Sequence, residues 1–156
     1  MRKIKKDLNW FGMSRAQLVN EVGLLRDDEL DRLPVGAVCL TREGSILACN
    51  EVQANFIGSR RRELIGRNFF DEVVHSARVP GFHGRFLTGA LSGTLDLTFP
   101  FTFRLLTGWK RALVRMVSDS DTGLVWLFIE PAVDRFDSLR RPCSREVTER
   151  QERLAS

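Results

Sequence analysis

The amino-acid sequence predicts an α+β domain in which an antiparallel sheet carries short helices on one face. Three observations lead there. Two short β-branched runs, VGAVCLT and SILACN, are separated by REG and read as a hairpin with Gly44 in its turn. A stretch of short helical pieces punctuated by glycine and proline follows. Three long strand-like segments then run in succession to residue 131, and strands joined by tight turns pair antiparallel.

The elements follow in order. Residues 1–29 comprise a basic arm, MRKIKKDLNWF, and an amphipathic helix over 14–26. Ser14 with Gln17 three residues later fits a capping box, and Leu18, Val22 and Leu25 fall on one helical stripe. That stripe needs a partner, either the chain's own sheet or a second subunit. After the hairpin, NEVQANFIG and SRRRELIG are helical pieces, each ending at a glycine suited to a C-cap. FFDEVVH extends the irregular helical region. Pro80 opens a further helix, GFHGRFLTGALSG, whose Phe82, Phe86 and Ala90 share a face.

From Thr94 to Leu106 apolar residues alternate with polar ones, the period-2 pattern of a strand with one buried face. Pro100 falls on the polar side, where a missing backbone donor requires an edge or a bulge. Thr107-Gly108 turns into WKRALVRMVS, and Asp119 to Gly123 turns into LVWLFIEP. The main domain spans 30–133. Residues 134–156 lose the periodicity and become charge-rich, a flexible tail with a short helix over REVTERQERL.

The chain has 156 residues, 43% hydrophobic and 28% charged, which suits one soluble domain with short extensions. The N-terminus has no secretory signal pattern and no apolar run approaches membrane-spanning length, so a cytoplasmic protein without membrane insertion is expected. Cys39, Cys49 and Cys143 are odd in number and spaced like neither a disulfide framework nor a zinc site. The net charge of +4 is thinly spread: residues 34–133 hold 11 basic and 9 acidic side chains. The densest patches are Arg2 to Lys6 and Arg60 to Arg62, and neither makes a nucleic-acid stripe or motif. Catalytic fingerprints are absent: no GxSxG, P-loop, HExxH or dinucleotide loop occurs. Asp71 and Glu72 are adjacent and cannot flank one bond as a carboxylate pair. His75 beside Ser76 lacks an orienting third group for nucleophilic catalysis. The chain is not expected to be an enzyme.

The run DELDRLPVGAVCLTREGSILACNEVQANFIGSRRRELIGRNFFDE, residues 28–72, carries more specific information. With RNFFDEVVHSARVPGFHGRFLTGALSGTL, FPFTFRLL and LVWLFIE after it, it resembles a PAS domain of the photoactive yellow protein family. The resemblance runs through residues 30–130, about two thirds of the chain. It implies a PAS fold, a five-stranded antiparallel sheet with short helices on one face and an N-terminal helix. It implies a sensor in signal transduction that acts on a partner.

The resemblance also marks positions. The family's p-coumaric acid is held by a cysteine thioester, and the matching position here is Ser76, whose hydroxyl is far less acidic than a thiol. The tyrosine and glutamic acid that hold its phenolate match Cys49 and Gln53. A neighbouring threonine matches Ile57, and an arginine gating the pocket matches Ser59. The p-coumaric chromophore is therefore not expected. The candidate ligand pocket consists of Cys49, Gln53, Ile57, His75, Ser76, Phe101 and Phe103, with Phe69 and Phe82 in its lining. Two outcomes stay open: a small apolar ligand fills this space, or Phe56 and Ile57 fill it. No metal site is expected; haem is an alternative, with His75 as its axial ligand and His83 on the following helix as a boundary residue. The expected partners are a signalling protein and a second copy of the chain, with nucleic-acid regulation as a further alternative.

Overall fold

The computed structural model describes residues 12–132. The basic arm at 2–6, Cys143 and the tail helix expected over 145–154 lie outside the described residues. Helix α1 (Arg15–Gly23) starts where Ser14 Oγ accepts from the Gln17 amide at 3.2 Å, the Ser14 half of the expected capping box. It ends earlier than the expected 26, and a second turn, α2 (Asp27–Leu30), follows. In α2 the Arg26 amide donates to Glu29 Oε1 at 3.0 Å.

Strands β1 (Gly36–Leu40) and β2 (Ile46–Cys49) form the expected hairpin, with Gly44 at φ 95° in its turn. Helix α3 (Glu51–Ile57) is capped by Asn50 and stopped by Gly58 at φ 94°. Helix α4 (Arg61–Leu64) stops two residues before Gly66, short of the glycine expected to cap it. The FFDEV segment forms a π-helical turn (Phe69–Val73), and a 3₁₀ turn covers His75–Ala77. Pro80–Gly84 makes another π turn, which runs directly into α5 (Arg85–Ser92). Phe82, Phe86 and Ala90 are all buried, as their shared face requires.

Strands β3 (Asp96–Leu105), β4 (Gly108–Ser118) and β5 (Val125–Pro131) form an antiparallel meander. The sheet order is β2-β1-β5-β4-β3, all antiparallel, so β1 inserts beside β5. Pro100 lies on β3, which is an edge strand, in keeping with its lost donor. The sheet therefore has two apolar faces. One packs against α3, α4, the irregular middle and α5 around Phe69, Phe70, Phe82, Phe86 and Phe103. The other, with Ala37, Cys39, Val117, Trp126 and Phe128, is covered by Leu18 and Val22 of α1 and by Leu30 and Leu33. Arg15 Nη1 donates to the Ser118 carbonyl at 3.0 Å and fixes α1 to β4. The chain's own helix thus packs on the second face.

Candidate functional site

The site is organised around the junction of β2 and α3. Asn50 is fully buried, and its amide is saturated. Oδ1 accepts from the amides of Ala37 and Gln53, each at 3.0 Å. Nδ2 donates to the carbonyls of Leu30 at 2.8 Å and Val35 at 3.0 Å. One side chain therefore joins the β1 start, the α2 turn and the first turn of α3. Arg61 reinforces the same junction from the surface, pairing with Asp31 at 2.6 Å and with Glu51 at 3.5 Å. The sequence marked Arg61 only as part of a basic patch and missed Asn50, for which the Asx-cap pattern before α3 was the available signal.

On either side of Asn50 lie two of the expected pocket residues. Cys49 is buried, and burial pushes its thiol from an ordinary 9.0 up to about 12, with Arg61 opposing the shift. It is a neutral group, inert as a nucleophile at physiological pH. Gln53 is 1% exposed, and among the described residues its Oε1 has no hydrogen-bond partner. That oxygen lies against Gly36, where an added Cβ would fall 2.2 Å from it. The absent side chain at position 36 is what lets the Gln53 amide fold over β1.

Ile57, at the end of α3, is buried in the same cluster as Cys49, Phe69, Phe82 and Phe103, with Phe101 packed half-buried against it. The aromatic rings interlock. Phe82 meets Phe101, Phe99 and Phe103 edge-on at 5.0, 5.4 and 5.9 Å between centroids. Phe103 also meets Phe56 edge-on at 5.4 Å. Phe56, Phe70 and Phe86 thus join the rings named from the sequence.

The remaining two positions behave differently. Ser76 is half-buried, and its Oγ accepts from the Arg104 amide at 3.0 Å, so it ties the 73–81 loop to the edge of β3. His75 is exposed, with Nε2 at the Asp71 carbonyl, and it does not face the aromatic interior. A one-residue step along the 3₁₀ turn swings neighbouring side chains far apart, which is why His75 and Ser76 part company. His83 lies against Phe70 with ring centroids 4.3 Å apart and the rings tilted by 36°. Among the described residues no group of three His, Cys, Asp or Glu side chains could hold a metal ion. None of their helices is long and apolar enough to cross a membrane.

A polar groove of about 400 Å³ lies on the surface beside this junction, lined by Glu51, Asn55, Ser59, Arg60, Arg61 and Arg62. The sequence marked Arg60 to Arg62 as a basic patch without indicating this recess.

Comparison with known proteins places the geometry. No family model matches the chain. Over 98 residues it is 33% identical to photoactive yellow protein of Cereibacter sphaeroides, covering 63% of this chain and 79% of that protein. It is 27% identical over 111 residues to photoactive yellow protein of Halochromatium salexigens, covering 71% of this chain and 89% of that protein. Among solved structures, the photoactive yellow protein domain of the sensor histidine kinase Ppr from Rhodospirillum centenum superposes with a TM-score of 0.66 at 33% identity. That match covers 75% of this chain and 99% of that domain. The PAS domain of the Cronobacter turicensis quorum-sensing receptor RpfR, in complex with BDSF, shares the fold at 17% identity and a TM-score of 0.55, over 65% of this chain and 97% of that domain. By sheet order, helical face and sequence, the chain belongs to the photoactive yellow protein family of PAS domains.

Proposed function

We propose that this chain is a non-photoactive sensory or regulatory module of cytoplasmic signal transduction that acts by binding another protein. The observation that carries this is the state of Ser76. At the position where the family resemblance calls for a thiol, a hydroxyl serves as the acceptor of a loop-to-strand hydrogen bond. The residues at the phenolate end, Cys49 and Gln53, are buried and neutral. A thioester-linked phenolate does not fit this set. The buried Oε1 of Gln53, short of a donor among the described residues, supports a second element of the proposal: modulation by a small apolar ligand with one donor group.

In this reading, ligand or partner shifts a population between packings of the 73–81 loop and of α1. Each is tied to the sheet by a hydrogen bond, the Arg104 amide to Ser76 and Arg15 to the Ser118 carbonyl, which a binding event can break. Homodimerisation belongs to the same proposal. Light scattering of protein lacking residues 1–26 tests it: an unchanged oligomeric state removes α1 from any dimer contact.

The deciding experiment is an absorption spectrum with native mass spectrometry on protein purified from its own host. A bare polypeptide mass with a stoichiometric protein partner is the expected result. A noncovalent adduct without a visible band adds the ligand. A yellow band with a covalent p-coumaroyl mass overturns the proposal, and a haem band replaces it with the haem reading.

A further inference from the structure

The hairpin between β3 and β4 carries side chains that neither the core nor the aromatic site uses. Leu106, in its turn, is 98% exposed. Arg104 and Trp109 are cross-strand partners, and the Arg104 guanidinium lies over the Trp109 ring at 5.4 Å from its centroid. The stack pre-sets a tryptophan that is still 47% exposed. The tip rests on the end of α3. Lys110 Nζ donates to the Phe56 carbonyl at 3.1 Å, and Thr107 lies so close to Gly58 that a Cβ there would come within 2.7 Å of it. Ser59, the next residue, opens the groove that runs past Arg60, Arg61 and Arg62.

The charges around this surface are mostly basic; Glu51, the one acidic residue lining the groove, is paired with Arg61. Arg61 is committed to Asp31 and Glu51. Arg60, Arg62, Arg104 and Arg111 are exposed, and among the described residues none of them pairs with a carboxylate. An exposed Trp flanked by arginines is the composition of a binding hot spot with its electrostatic guide, and Leu106 adds apolar area beside it.

We propose that the hairpin tip and the groove form one docking surface for an acidic, extended segment of a partner protein. Leu106 and Trp109 take an apolar side chain of that segment, and Arg60 and Arg62 take its carboxylates. A flat bilayer meets the tip but does not enter a recess, and the tail at 134–156 holds 6 basic against 5 acidic residues, so it lacks the complementary charge. The inference rests on the partner-binding reading above and names its surface.

The test uses the full chain and a fluorescein-labelled 12-residue peptide with a central leucine and six glutamates, beside its glutamine counterpart. The glutamate peptide binds, and the glutamine peptide binds at least about tenfold more weakly. Trp109→Ser with Leu106→Ser weakens binding by about tenfold or more. Arg60→Glu or Arg62→Glu weakens it roughly three- to fivefold with a reduced salt dependence, while Arg42→Glu, on the β1–β2 turn, leaves it unchanged. Circular dichroism of these surface variants stays native. Absence of glutamate-peptide binding, equal loss with Arg42→Glu, or binding instead to phosphatidylserine vesicles through Leu106 overturns the inference. If a partner copurified from the host stays bound to the Leu106→Ser/Trp109→Ser/Arg62→Glu variant, this surface is wrong and the partner-binding reading stands. If wild-type protein carries no partner and binds no peptide, both fall.

Discussion

Asn50 shows how one buried amide sets the geometry of a site. Its four hydrogen bonds satisfy two backbone amides and two carbonyls, of which the Leu30 carbonyl also accepts from the Leu33 amide. Asn50→Ala removes the partner of the Ala37 and Gln53 amides and of the Val35 carbonyl in the interior, and the expected loss is about 3 kcal/mol or more, read as a lower urea midpoint at unchanged m-value. Ser76 is the milder case. Ser76→Ala removes the acceptor of the Arg104 amide, with an expected loss of about 1 kcal/mol. Its distinguishing readout is faster hydrogen exchange at that amide, with exchange in β5 unchanged. A serine there that served only as a vestige of a lost attachment point would show neither effect.

At the scale of elements, the contact between α5 and the start of β3 depends on a missing side chain. A Cβ on Gly89 would stand 2.2 Å from Leu95 Cδ2 and 2.5 Å from its Cβ. On an isolated helix Gly→Ala stabilises by roughly 0.5–1 kcal/mol, but here overpacking reverses the sign. Gly89→Ala is expected to destabilise by about 1–3 kcal/mol, measured by thermal unfolding. Leu95→Ala in the same background should recover part of the loss, since the two sites share one contact. The irregular middle follows a similar logic. Two π turns and a 3₁₀ turn bring Phe69, Phe70 and Phe82 into one cluster over the sheet.

For the whole molecule, the two-faced sheet makes both of its described cysteines interior. Burial pushes Cys39 and Cys49 up to about 12 from 9.0. The unfolded chain releases these protons near pH 9, whereas the folded chain retains them, so the unfolded state binds fewer protons between the two values. Stability is therefore fully present below about pH 9 and falls as pH rises toward 12. Urea midpoints from pH 8 to 11 should decline for wild type and decline less steeply for Cys39→Ala/Cys49→Ala. A slope indifferent to the double substitution would place the alkaline loss elsewhere.

The α+β class, the β1–β2 hairpin, the meander of β3 to β5, the Ser14 cap and the edge position of Pro100 were legible in the sequence, because each rests on local periodicity or turn chemistry. So was the family, from motif strings along the chain. The site was legible as a set of positions and less so as an arrangement. Cys49, Ile57, Phe82 and Phe103 fall in one buried cluster, since alternation and helical spacing tell which faces turn inward. His75 departs from expectation because a 3₁₀ turn has no periodicity long enough to orient a side chain from sequence. The pairing of β1 with β5, the closure of the second sheet face by α1 and the hub at Asn50 link residues far apart in the chain. Only tertiary structure decides such contacts, because their energy comes from burial and hydrogen bonding between segments that no local pattern connects.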